Sequence, residues 1–258
     1  MESQSSNSPM LLAIDIGNTC IDIGLLAGDE IVCHHKFPTA PPADADLQHL
    51  LATLATPPIG AVIGSVVAEL GTAYAAACRN FSSGPVLQAH STWDWGLQID
   101  YDDPARIGVD RLAAASAAHC AAPAGQAVVV VDVGTALTVD VIDAQGTFRG
   151  GVIAPGLHLG LNALSANTSF LPQVELAATT PLLGKNTADG LRSGALHGSA
   201  ALVEGLCTRM ATVLDAPVAV FLTGGDGPLL HPHIAVAHTC DPDLVLRGLA
   251  LAYRRRTA

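Results

Sequence analysis

The chain has 258 residues and a formal net charge of −11, with 50% hydrophobic but only 4% aromatic residues. That length buries one large core or two small ones, and the acidic balance excludes the basic face that nucleic acid or an anionic membrane requires. The six cysteines form no CxxC pair and show no regular spacing with histidine, so neither a zinc site nor a disulfide framework is expected; they read as free, buried thiols in a reducing cytoplasm.

Residues 1–9 are Ser/Asn-rich without a positively charged start, and read as a disordered tail rather than a signal peptide or membrane span. A strand from Leu11 to Ile14 then reaches Asp15, turns through Gly17-Asn18-Thr19 and resumes as Ile21 to Leu26. The turn Leu26 to Asp29 leads into a third strand, Glu30 to Lys36, completing an antiparallel meander. Beyond the link Pro38 to Pro42, Leu47, Leu50, Leu51 and Leu54 fall at helical spacing behind Asp44 or Asp46 as the cap. A strand from Ala61 to Val67, a small-residue helix from Ala68 to Cys78, a short strand from Val86 to Gln88 and a loop from Trp93 to Gly96 follow.

Tyr101 to Pro104 form a polar turn, after which Gly108 to Arg111 open an alanine-rich helix. Asp110 there has two readings that local sequence leaves open. One is a helix N-cap. The other is a carboxylate that orients a hydroxyl and finally accepts its proton, beside an arginine that holds an anionic substrate.

From Ala127 the pattern of the first hairpin returns. Val128 to Val131 form a buried strand that runs into Asp132, then Gly134-Thr135, then a second strand from Leu137 to Ile142. Aligning DIGNTCIDIG with DVGTALTVD superposes Asp15 on Asp132 and Gly17 on Gly134. Such turns bring backbone N–H groups close to phosphate oxygens, and the acid can hold a hydrated cation that neutralises them. One copy reads as an ordinary hairpin with a capping Asp. Two copies point to a duplicated fold whose halves face each other across a nucleotide. A strand from Thr147 to Ile153, a helix from Leu157 to Leu164 and irregular chain from Asn167 to Glu175 come next. The long helix from Ala188 to Leu214 carries Gly190, Gly194, Gly198 and Gly205. Each costs about 1 kcal/mol relative to alanine, which a smooth packing face would explain. A strand from Val218 to Leu222 ends in Thr223-Gly224-Gly225-Asp226, suited to close passage of a flat ligand such as adenine, and the last helix runs from Leu244 to Arg254. His34-His35, His231 and His233 read as surface or loop residues.

The paired acid-glycine-threonine hairpins resemble those of the superfamily of sugar and acetate kinases, heat-shock ATPases and actin. Together with YDDPARIGVDR from Tyr101, GGVIAPGLHLGLNALSANTSFLPQVEL from Gly150, GKNTADGLRSG from Gly184 and TGGD from Thr223, they resemble, in order and spacing, the type III pantothenate kinases. The resemblance implies an α/β chain of duplicated ribonuclease-H-like (actin-like ATPase) fold. Two mixed sheets of five-stranded type, flanked by helices, would enclose a cleft, with domains over 10–117 and 118–258. It implies a cytoplasmic homodimer that transfers the ATP γ-phosphate to the 4′-hydroxyl of pantothenate, the first step of coenzyme A synthesis, using Mg²⁺ and a monovalent cation, K⁺ or NH₄⁺. Asp110 matches the family's catalytic base, and Tyr101, Gly108, Val109, Asp110, Arg111 and Thr187 its pantothenate contacts. Asp15, Ile16, Gly17, Asn18, Thr19, Cys20 and Thr135 match the ATP loops, Asp15 holding Mg²⁺ through water and Asp132 the monovalent cation. Cys20 departs from a usual serine, asparagine or arginine, and Val109 from a usual alanine. Another small-molecule kinase of the superfamily shares the ATP loops without requiring the pantothenate set together. An inactive regulatory homologue predicts damage at Asp15, Asp110 or Asp132, and none is damaged.

Overall fold

The computed structural model describes residues 9–41 and 57–258. The expected tail over 1–8 and the helix carrying Leu47 to Leu54 lie outside these residues. Strands β1 (Met10–Ile16), β2 (Cys20–Ala27), β3 (Glu30–Pro38), β4 (Gly60–Ser65) and β5 (Val86–Gln88) form one sheet in the order β3-β2-β1-β4-β5. Strands β6 (Gln98–Ile99), β7 (Ala127–Val133), β8 (Ala136–Ile142), β9 (Thr147–Pro155), β10 (Val218–Thr223) and β11 (Thr239–Cys240) form a second, ordered β11-β10-β7-β8-β9-β6. Without β6, both sheets have the same plan: an antiparallel meander extended by two parallel strands on the side of its first strand. The duplication read from the two hairpins therefore extends to the whole sheet. Neither β6 nor β11 is expected from the sequence, because two residues are too few to show alternation.

Five longer helices are described: α1 (Ala68–Cys78), α2 (Val109–Ala121), α3 (Leu157–Asn167), α4 (Thr187–Leu214) and α5 (Leu244–Thr257). None is long and apolar enough to cross a membrane. The chain forms two compact units. The first gathers the described residues up to Gly96 with Asp103–Ala117 and Asp243–Ala258, and the second comprises Leu97–Asp102 and Ala118–Pro242. The last helix, assigned from sequence to the 118–258 domain, thus packs in the first unit.

In that unit the strands alternate between two faces. Leu12, Ile14, Ile16, Ile21, Ile23, Leu25 and Ile63 form a core with Tyr74, Ala75 and Cys78 of α1. The opposite face carries Asp15, Asp22, Gly24, His34, Lys36, Gly60 and Gly64, and α5 lies on its glycines. A Cβ at Gly24 or Gly64 would stand 2.9 Å from Leu246 or Leu249, and one at Gly60 would stand 1.8 Å from the Tyr253 hydroxyl. On its other side α5 meets α2 so closely that a Cβ at Gly248 would stand 1.9 Å from the Ala113 carbonyl oxygen.

Ionic contacts fix the ends of α5. His34 is an ion-pair residue rather than a solvated surface one: Nε2 lies 2.8 Å from Asp22 Oδ1 and Nδ1 lies 2.8 Å from Asp243 Oδ1, at the N-terminus of α5. Arg247 donates to the Asp29 carbonyl at 2.5 Å, and Arg254 to the Asp29 carboxylate and the Gly28 carbonyl. The hydrogen bond to Asp22, aided by the charge of Asp243, raises the His34 pKa above 6.5 against the opposing effect of burial.

The second unit packs Val129, Val131 and Val133 of β7 and Leu137 and Val139 of β8 with Leu196, Ala200, Val203 and Cys207 of α4. A Cβ at Gly190, Gly194, Gly198 or Gly205 would meet open space, so no described residue requires these four positions of α4 to be glycine. All six cysteines are free, as expected, but only Cys78 and Cys207 are buried, and burial pushes their thiols up to about 12 and about 11. Cys120 is exposed.

Two outcomes test this packing. Gly248→Ala gains about 1 kcal/mol of helix propensity but drives a methyl into backbone, an overpacking cost of about 1–3 kcal/mol. The clash should win, lowering stability in urea denaturation by up to about 2 kcal/mol. Because the folded pKa of His34 is raised, its contribution is full below pH 6.5 and is lost as pH rises through the folded pKa. His34→Gln should therefore destabilise at pH 6, by at most about 1 kcal/mol for so exposed a pair, and least at pH 9. A difference independent of pH would remove the ion pairs as the cause.

Candidate active site

In the first unit β1 delivers Asp15, half-buried, to a three-residue loop. Gly17 N donates to the Cys20 carbonyl at 2.9 Å, and Thr39 braces the loop from outside the motif, its N donating to the Thr19 carbonyl at 2.9 Å and its Oγ1 to the Gly17 carbonyl at 2.7 Å. Thr39 carried no local signal, since it lies just past β3 and reaches the loop only through the meander. Asn18 and Thr19 are exposed, Gly17 and Cys20 half-buried, and the Ile16 side chain belongs to the core. Asp15 stands opposite Asp22, and Asp22 opposite Lys36, so the three share one row across the sheet.

The same unit contains the start of α2. The helix begins at Val109 and Leu112 N donates to the Gly108 carbonyl at 3.2 Å, so Asp110 sits inside the first turn rather than capping it. Its Oδ1 accepts from the Arg111 N–H at 2.9 Å and occupies the space that a side chain at residue 108 would need, since a Cβ there would stand 2.2 Å away. Val109 is buried. Burial raises the Asp110 pKa above the ordinary carboxylate value, and the Arg111 N–H and guanidinium pull the other way. The net effect is a carboxylate with more proton affinity than a solvated one, held by a glycine that makes room for it.

In the second unit Asp132 stands opposite Thr138 on one side and Thr223 on the other. The Thr223 hydroxyl is buried without a hydrogen-bond partner. Gly224, at φ +89°, is needed because a Cβ would stand 2.4 Å from Asp132 Oδ1 and 2.5 Å from Val133 N. The close approach at Gly224 is thus made by the protein's own strand. Thr135 is exposed, and its carbonyl accepts from Gly156 N at 3.1 Å. The Gly134 and Thr135 carbonyl oxygens crowd Gly156, lying 2.1 and 2.6 Å from where its Cβ would be. Tyr101, 38% exposed, lies with its ring centroid 6.2 Å from that of Phe148 and covers Gly150. Thr187 is the exposed first residue of α4, behind Asn186, whose side chain accepts from Asp189 N at 2.9 Å. Asp15 to Cys20 and Gly108 to Arg111 therefore belong to one unit, and Tyr101, Asp132, Thr135 and Thr187 to the other.

Among the described residues no three His, Cys, Asp or Glu side chains are grouped to hold a metal ion. Asp15, with Asp22 opposite it engaged by Lys36, suits Mg²⁺ held through water and a nucleotide's own phosphates. Around Asp132 the donors are of another kind: one carboxylate, the orphaned Thr223 hydroxyl beside it and backbone carbonyls nearby, a set that suits a weakly hydrated monovalent cation.

Comparison with known proteins identifies the family and the fold. The model of the type III pantothenate kinase family matches residues 11–209. A type III pantothenate kinase of Rhizorhabdus wittichii is 35% identical over 257 residues, 95% of this chain and 98% of the relative. Among solved structures, a Campylobacter jejuni protein assigned to the Baf family of transcriptional activators superposes with a TM-score of 0.61 at 20% identity, over 95% of this chain and 98% of that one. A glucokinase from an Antarctic psychrotroph gives 0.51 at 14% identity, over 95% and 99%. Likeness at those identities concerns the fold alone, which is the actin-like ATPase and sugar kinase fold in both units. The family match and the near full-length sequence identity together make the chain a member of the type III pantothenate kinase family.

Proposed function

We propose that the chain transfers the γ-phosphoryl group of ATP to the 4′-hydroxyl of pantothenate, opening coenzyme A synthesis in the cytoplasm. The observation that carries this is the carboxylate of Asp110 in the first turn of α2, kept in place by Gly108 and raised in pKa by burial, in a chain aligned to the family along nearly all its length. Phosphoryl transfer passes through a loose transition state, so aligning the hydroxyl and taking its proton late is enough for such a base. Arg111 supplies positive charge for the pantothenate carboxylate, and Gly108, Val109, Tyr101 and Thr187 shape its binding. Asn18, Thr19, Cys20 and Thr135 cradle the phosphates through backbone N–H groups and hydroxyls, and Gly17, its own N–H closed on the Cys20 carbonyl, sets the turn. Mg²⁺, held by Asp15 through water, and K⁺ or NH₄⁺, held by Asp132, neutralise the charge that gathers when two anions react.

A homodimer through the second unit fits the same reading. Among the described residues nothing lies within 4 Å of a Cβ placed at Gly190, Gly194, Gly198 or Gly205 of α4, and Phe170, Leu182 and Leu183 are 95%, 68% and 83% exposed. A second copy would remove such apolar side chains from water.

Asp110→Asn should leave folding and ATP binding intact while lowering kcat by roughly two to four orders of magnitude. The raised pKa adds that the acidic limb of the wild-type kcat/KM profile, which reports the free enzyme, lies above the ordinary aspartate range and disappears in the variant. Normal turnover by folded Asp110→Asn would move the base elsewhere. Activity should also rise with K⁺ or NH₄⁺ over Na⁺ in a protein that elutes as a dimer, and Asp132→Asn should flatten that dependence while lowering activity. A fully active monomer indifferent to potassium would overturn the cation assignment.

A further inference from the structure

The row that contains Asp15 holds one more charged group. Reading across β1, β2 and β3, Asp15, Asp22 and Lys36 are direct cross-strand neighbours, with Gly64 of β4 on the far side of Asp15. Directly opposite residues on paired strands project from the same face about 5 Å apart. The Lys36 stem therefore extends across Asp22 on the face and at the level of Asp15. Lys36 Nζ lies 3.0 and 3.2 Å from the two Asp22 oxygens. Asp22 is held in turn by His34 Nε2 at 2.8 Å, and His34 by Asp243 at 2.8 Å. Three groups, Asp22, His34 and Asp243, thus set the position of one ammonium.

A stability role explains this poorly. The Lys36 side chain is 44% exposed, and an ion pair that open contributes about 0–1 kcal/mol. The chain has only two lysines, Lys36 and Lys185, within a net charge of −11. The four arginines of α5 are committed elsewhere: Arg247 and Arg254 to the Gly28-Asp29 turn, Arg255 to the Trp95 carbonyl and Ser116, Arg256 over the Trp93 ring. Without Lys36, the row beside the loop would present two adjacent carboxylates to a polyanion. Burial opposes the lysine charge, but the hydrogen bond to Asp22 and the charges of Asp22 and Asp15 hold its pKa above 10.5, so it is cationic at any working pH.

We infer that Lys36 is a polyphosphate ligand for the nucleotide at the first phosphate loop, with Asp22 and His34 as the positioning residues that keep its ammonium beside Asp15. This rests on the reading above that the loop Gly17 to Thr19 takes the phosphates of ATP. An ammonium has three donors, and Asp22 has two oxygens to receive them, so a third N–H is available to a phosphate oxygen without release of the ion pair. Asp22 serves to limit where the flexible side chain can go.

The test uses the full-length protein, its wild type and Lys36→Met, Lys36→Arg and Asp22→Asn. Steady-state kinetics give KM for ATP and pantothenate separately, and thermal shifts compare ATP with adenosine, which lacks the phosphates. Losing a charge-assisted bond should raise the ATP KM of Lys36→Met about 10- to 100-fold, leave the pantothenate KM within about twofold, and abolish the extra stabilisation by ATP over adenosine. Lys36→Arg should restore most of the affinity. Asp22→Asn should raise the ATP KM by a smaller factor and add nothing in the Lys36→Met background, which a merely structural ion pair would not do. Lys36→Gln takes the place of Lys36→Met should the latter not fold. A folded charge-free variant with wild-type ATP KM and wild-type ATP stabilisation overturns the inference. If the wild type fails to phosphorylate pantothenate yet gains stability from ATP over adenosine, the proposed reaction falls and the thermal shifts still decide Lys36. A wild type that gains nothing from ATP over adenosine overturns the phosphate-loop reading and this inference with it.

Discussion

The first unit depends on how closely α5 lies on its sheet. Three glycines, Gly24, Gly60 and Gly64, leave the face bare where Leu246, Tyr253 and Leu249 come down, and a fourth, Gly248, lets α2 approach from the other side. Each contact removes the standoff that a Cβ would impose, so the helix is wedged rather than merely adjacent, and close packing of this kind transmits position with little slack. The consequence is functional. Leu249 sits on the residue beside Asp15, and Gly248 meets α2 one turn past Asp110. One helix therefore sets both the strand that ends in the first loop and the turn that carries the carboxylate.

The duplicated sheets show how one backbone plan carries two chemistries. Asp15 and Asp132 occupy the same place at the end of the first strand of each meander. Their cross-strand neighbours differ. Asp15 faces Asp22 and, beyond it, Lys36, a charged row. Asp132 faces Thr138 and Thr223, a row of hydroxyls, one of them buried without a partner. A charged row suits a polyphosphate with its hydrated divalent ion. A row of neutral oxygens around one carboxylate suits a single monovalent charge, since it adds donors to the ion without adding further negative charge. The different roles proposed for the two aspartates follow from their neighbours rather than from the motif they share.

Residues far apart in sequence do much of the holding. Thr39 braces a loop twenty residues upstream, and Asp243 reaches His34 across most of the chain. These contacts involve ordinary surface residue types, and nothing in their local sequence separates them from solvated side chains. His34 is the clearest case: an isolated His-His pair reads as exposed, and only the meander and the start of α5 give it two carboxylates.

By itself the sequence determined the longer strands and helices of the described residues, because hydrophobic patterning and helical spacing are local and strong, while the two-residue strands β6 and β11 left no such signal. It also determined the two hairpins and the start of α2, whose glycines and acids must lie next to each other in the chain for the turns to form. Tertiary structure alone decided which unit received the last helix, since α5 is amphipathic enough to cover either sheet and only the glycine-bare face of the first admits it so closely. It decided that Gly224 makes room for Asp132 rather than for a ligand, because the strand pairing of β10 with β7 lies outside any local window. It decided the charged row of Asp15, Asp22 and Lys36 as well. Register between strands is set by the whole sheet, and a shift of one residue would have turned these side chains into the core.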